Sequence, residues 1–153
     1  MAPTQPESQV IYTEKLRPSP GIWALCAVAA AATALMVFPV WKIGAIVLPV
    51  VTFLLLALWM RSLTVKIIVT SSQLIVGEAH IDRKYVAAAH AYDAEAARVA
   101  RGIELNARAF LMVRPWIKPA VKIDIADETD PTPYWLVSST RPQEFAAALN
   151  THA

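Results

Sequence analysis

Residues 20–60 read PGIWALCAVAAAATALMVFPVWKIGAIVLPVVTFLLLALWM, and Lys42 is the one formal charge in the stretch. A hydrocarbon core is ~30 Å thick and a helix rises ~1.5 Å per residue, so a span needs ~20 mostly apolar residues. Two runs, about 21–38 and 42–60, meet that requirement. Between them Phe38-Pro39-Val40-Trp41-Lys42 supplies a helix stop, an interfacial aromatic and a cation, the chemistry of a tight turn at a membrane surface. The stretch therefore reads as a transmembrane helical hairpin. It divides the chain into a tail over 1–19, the hairpin over 20–60 and one polar domain over 61–153.

The charges flanking the hairpin orient it. Lys15 and Arg17 precede the first span, Arg61 and Lys66 follow the second, and the turn holds only Lys42. The positive-inside rule then expects a two-span protein of the plasma (inner) membrane with both termini in the cytoplasm. Tyr12, Lys15 and Arg17 read as an anchoring segment at headgroup depth, with Trp41 and Lys42 at the tip and Trp59 and Arg61 at the other foot. The first ten residues or so, with Pro3 and Pro6, read as disordered. A cleaved signal peptide is the competing reading, but the cations stand far from the start and the apolar run continues past Ala32-Thr33-Ala34.

Within the first span, alanines at 24, 27, 29, 30, 31, 32 and 34 would let a partner helix approach closely. Pro49 should kink the second span. Within residues 22–37 and 43–60 there is no Asp, Glu, Lys, Arg or His, so nothing in the spans resembles a proton relay or transport pathway.

Past Arg61 the hydrophobic period changes to two. Leu63, Val65, Ile67 and Val69 alternate with more polar neighbours, and strands are expected near 63–70, 74–76, 79–87, 109–113, 120–126 and 134–138. Asp93 should cap a helix ending near Gly102. Thr140 with Gln143 offers a capping box for a C-terminal helix carrying Phe145 and Leu149 on one face. Short antiparallel strands closed by such a helix predict a membrane α+β protein whose domain is a small pleckstrin-homology-like barrel. At ~90 residues it is large enough to be expected to fold by itself.

Two segments carry a resemblance: Phe110-Leu111-Met112-Val113-Arg114-Pro115-Trp116 and Asp130-Pro131-Thr132-Pro133-Tyr134-Trp135-Leu136-Val137-Ser138. With them the chain, over roughly 12–149, resembles an actinobacterial family of uncharacterised two-span membrane proteins, a domain of unknown function. That resemblance implies an inner-membrane protein and brings no activity with it.

Composition removes several functions. From Arg61 onward eleven Lys and Arg face ten Asp and Glu, a net +1 far below what nucleic-acid binding requires. Cys26 is the lone cysteine, so no intramolecular disulfide and no cysteine metal site can form. His80, Asp82 and His90 show no metal-ligand or catalytic spacing, and the acidic run Asp124, Asp127, Glu128, Asp130 lacks the glycine and terminal glutamate of a calcium loop. No cofactor, metal or catalytic residue is expected. The stretch that stands out is Arg114-Pro115-Trp116-Ile117-Lys118-Pro119, a stiff turn with two cations and an indole, with Lys122 beyond it. Arg114, Trp116, Lys118 and Lys122 are expected either to meet anionic headgroups or a partner, or to be structural, with Trp116 folded back onto the barrel. The expected function is a membrane-anchored, cytoplasmic-face binding module or accessory subunit, contacting lipid and another membrane protein or itself. The alternative is an enzyme on a membrane-derived substrate.

Overall fold

The computed structural model describes residues 9–151. The early tail expected to be disordered lies almost wholly outside them. The chain divides into two units: residues 17–64, and a domain built from the residues on either side of that segment.

The first unit is the hairpin. Helix α1 (Pro20–Val37) and helix α2 (Gly44–Ser62) are both long and apolar enough to cross a membrane. Pro20 opens α1, where its missing N–H costs nothing, and Pro49 lies within α2. In the turn the Trp41 indole lies against Gly44, where a Cβ would clash with the ring unless the indole moved. Trp23 of α1 meets Phe53 of α2 with ring centroids 6.3 Å apart.

The second unit begins before the hairpin. Val10–Leu16, expected to be tail and anchor, is strand β1, and it pairs antiparallel with β2 (Val65–Thr70) on the far side of the hairpin. Strands β3 (Gln73–Val76) and β4 (Ala79–Asp82) complete one sheet in the order β1-β2-β3-β4. Gly77, with φ of 64°, makes the two-residue β3–β4 turn that a residue with a Cβ would strain. A 3₁₀ turn at Arg83–Tyr85 then breaks the expected 79–87 strand in two. Strand β5 (Val86–Tyr92) runs past the expected end of that strand at 87 and carries His90.

Helix α3 (Ala94–Arg101) is capped by Asp93, whose carboxylate accepts the Ala96 N–H at 2.8 Å, as expected. Strands β6 (Phe110–Met112), β7 (Ala120–Ile125) and β8 (Tyr134–Ser138) join β5 in a second sheet, order β5-β7-β8-β6. Here β6 and β8 are parallel, so the sheet is mixed, and the two sheets do not close into the expected barrel. Separate four-stranded sheets keep free edges at β1, β4, β5 and β6, which a closed barrel lacks.

One core joins both sheets to α4 (Pro142–Asn150). Leu16, Ile67, Leu74, Ile123, Val137 and Phe145 are fully buried in it. A second cluster forms on the outer face of the second sheet, where Ala97 and Ala100 of α3 cover Ala120, Tyr134 and Leu136. This is why every residue of β8 is buried: the strand has a packed layer on each side.

Candidate functional site

Residue by residue, the structure separates what the sequence grouped. Tyr12, read as an interfacial anchor, lies inside the domain with its ring stacked on Phe145 at 5.4 Å. Alternation along β1 turns Tyr12, Glu14 and Leu16 inward while Thr13 and Lys15 face out. Arg17, Trp41, Lys42, Trp59 and Arg61, all of the hairpin unit, are exposed.

The Arg114–Lys122 group also divides. Trp116 is half-buried against the core, and its indole N–H is buried without an acceptor among the described residues. The backbone N–H of Arg114 donates to Ser138 Oγ at 3.0 Å. Lys118 is exposed, and its carbonyl accepts from the Arg101 guanidinium at 2.8 Å. Lys122 lies on the outer face of the second sheet, its Nζ 4.7 Å from the Tyr134 ring centroid and 3.8 Å from Asp124. Asp124 also meets His90 at 3.1 Å.

Two polar assemblies were not legible in the sequence. The first is built around Glu14, which is buried. Its carboxylate accepts from Tyr12 OH at 2.8 Å, Ser139 Oγ at 2.6 Å, Thr140 N–H at 2.7 Å and Thr140 Oγ1 at 2.6 Å. Burial works against the charge, yet the hydrogen bonds from Ser139, Thr140 and Tyr12 outweigh it and hold the carboxyl below its usual range. Burial first, and the bond to Glu14 second, push the Tyr12 hydroxyl up to about 12. Thr140 is thereby drawn away from the expected capping box: the N-cap of α4 is Arg141, which has no side-chain cap bond and whose guanidinium instead donates to the Thr13 carbonyl at 3.0 Å. The network ties the strand before the hairpin to the segment that starts the last helix.

The second assembly is a cleft of about 330 Å³ lined by residues far apart in sequence, among them His80, Asp82, Tyr85, Asp127, Asp130 and Trp135. The Ala126 N–H donates to the Tyr85 carbonyl at 2.7 Å and fixes its two walls together. Asp127 accepts from Thr129 N–H and Oγ1, which lower its pKa, and Asp130 accepts from Thr132 N–H. Lys84 stands at the rim, 4.7 Å from the Tyr85 ring centroid and 3.8 Å from Asp82, and the contact with Tyr85 raises its pKa most. Among the described residues no three His, Cys, Asp or Glu groups converge to hold a metal ion. The cleft is suited to a cationic group, which its own Lys84 already approaches.

Comparison with known proteins assigns a family and no chemistry. Residues 11–149 match the family described as protein of unknown function (DUF3093), and the chain belongs to it. No curated protein matches the chain. No solved structure matches it either.

Proposed function

We propose that this is a membrane-anchored binding module or accessory subunit of an inner-membrane complex, displayed at the cytoplasmic face of an actinobacterial cell and contacting protein or anionic lipid. The observation that carries the reading is the β1–β2 pairing, in which residues before α1 are hydrogen-bonded neighbours of residues after α2. A chain that crosses a bilayer at α1 must return at α2 for that ladder to form, which supports a two-span anchor with both of its ends on one side. The exposed apolar surface of both helices supports the same reading, since each buries less than a fifth of its most apolar window. Positive-inside placement of Lys15, Arg17, Arg61 and Lys66 puts that side in the cytoplasm. The domain's two packed sheets and terminal helix support a pleckstrin-homology-like role, presenting a rigid body to lipid or protein without catalysis.

Single cysteines test this on a Cys26→Ala background. Thr13→Cys and Glu128→Cys should both resist a membrane-impermeant thiol reagent in intact cells, and Lys42→Cys should react. Opposite behaviour at Thr13 and Glu128, or labelling of both from outside, would overturn the proposal.

A further inference from the structure

We infer that Lys15 and Lys66 together hold the phosphate of an anionic phospholipid headgroup, an inference that rests on the membrane anchoring proposed above. The two lysines are Cα partners in the β1–β2 ladder, and both are exposed on the outer face of the sheet. Side chains directly opposite in such a ladder have Cβ atoms ~5 Å apart, and like charges there destabilise the sheet. No acid relieves the pair: five ion pairs occur among the described residues, and neither lysine takes part in one. Glu14, their nearest acid in β1, points inward and is fully occupied. On the other side of β2, the Lys66 backbone carbonyl accepts from the Gly77 N–H, and Glu78 in the turn takes part in none of those ion pairs. β1 is an edge strand, so no further strand brings a countercharge.

The register adds the second part of the argument. Lys15–Lys66 is the penultimate pair of the ladder; after Leu16–Val65 the chain leaves for α1 and arrives from α2. A hairpin that spans lipid therefore delivers this pair to the headgroups by chain continuity alone. Long apolar stems let both ammonium groups reach outward, and each offers three donors to phosphate oxygens. An exposed pair of this kind would hold a free anion weakly. Linked to a bilayer, it meets headgroups at high effective concentration, which selects lipid as the occupant.

The test uses the full chain purified in a non-ionic detergent, offered equimolar dioleoyl phosphatidylglycerol and dioleoyl phosphatidylcholine, with bound lipid counted by native mass spectrometry. Wild type should retain the anionic lipid preferentially. Lys15→Gln or Lys66→Gln should each cut that preference about five-fold, and the pair together about 25-fold. Raising salt from about 0.05 to about 0.5 M should erode the wild-type preference similarly, because screening tightens over that range. Arg108→Gln, a neutralised exposed cation elsewhere on the domain, should change nothing, and Lys15→Arg with Lys66→Arg should keep the preference. The inference is overturned if wild type retains both lipids equally, or if the double variant keeps its preference. A chain that stays monodisperse without detergent and retains neither lipid would instead sink the anchoring reading itself.

Discussion

Leucine and isoleucine side chains face opposite ways in the two units. In the hairpin Leu25, Leu35, Ile46 and Leu58 are all more than half exposed, whereas in the domain Leu16, Ile67, Leu74 and Leu136 are fully buried. The same chemistry thus requires two different neighbours. The domain finds its own, by bringing together two sheets and a helix from residues as far apart in the chain as Tyr12 and Phe145, and burying a large aliphatic side chain in this way contributes ~1.5–3 kcal/mol. The hairpin leaves its apolar surface outward, and under the proposed anchoring lipid covers it.

The strongest way to break this comparison is to separate the units. Residues 65–153 alone lack β1, so the core loses Tyr12 and Leu16, and Ser139 and Thr140 lose the carboxylate they bind. That fragment should fail to melt cooperatively. Because Leu16 and Val65 are directly opposite, replacing Arg17 through Thr64 by Asn-Gly should close a two-residue hairpin and give a soluble domain with one sharp transition. Circular dichroism melts of the two proteins decide it. A well-folded 65–153 fragment would show β1 to be dispensable.

That result bears on what the sequence could reveal. The hairpin was legible because its signal is local: two uninterrupted apolar runs and a turn, with helices observed within a few residues of the expected bounds. β7 was legible for the same reason, since Val121 and Ile123 face the core while Lys122 and Asp124 are on the other face. β1 was not, although Val10-Ile11-Tyr12-Thr13 has strand-forming composition. Its inward Glu14 breaks the apolar alternation, and its partners lie 49 to 60 residues away. The cleft formed by His80, Asp82, Asp127 and Asp130 was hidden likewise, because only tertiary folding brings β4 to the loop before β8.

A smaller effect sharpens the contrast between the two solvents. Ile67→Ser places a hydroxyl in the core and should cost about 3 kcal/mol, from lost burial and an unpaired polar group. Leu55→Ser, on the exposed surface of α2, should leave the domain's melting unchanged in detergent. Equal losses at both sites would mean that the hairpin is packed like a soluble core.

Glu14→Gln should cost about 2 kcal/mol, because four donors lose their charged acceptor. The folded state lowers the Glu14 pKa, so the unfolded chain binds this proton more tightly. The carboxylate's contribution is therefore present above about pH 4.3, the unfolded value, and is lost as pH falls through the folded one. Melts of the full chain in detergent from neutral pH downward should show wild type and Glu14→Gln converging in acid. The same substitution should lower the Tyr12 pKa from about 12, readable by ultraviolet titration.

The smallest effect tests whether the domain's outer layer depends on its own local signals. Helix α3 has only eight residues, and short helices are marginal without capping or packing. It has both: Asp93 satisfies the Ala96 N–H, Glu95 pairs with Arg98 one turn on, and Ala97 with Ala100 covers Tyr134 and Leu136. Asp93→Ala removes the cap and should cost about 1 kcal/mol, whereas Asp93→Asn, an equally good acceptor, should cost little. Because the packed alanines remain, the loss should appear as faster amide exchange within α3, with the β1–β2 ladder and both hairpin helices unaffected. If exchange accelerates across the whole domain instead, α3 is part of the cooperative core, and the two faces of β8 are held by a single folding unit.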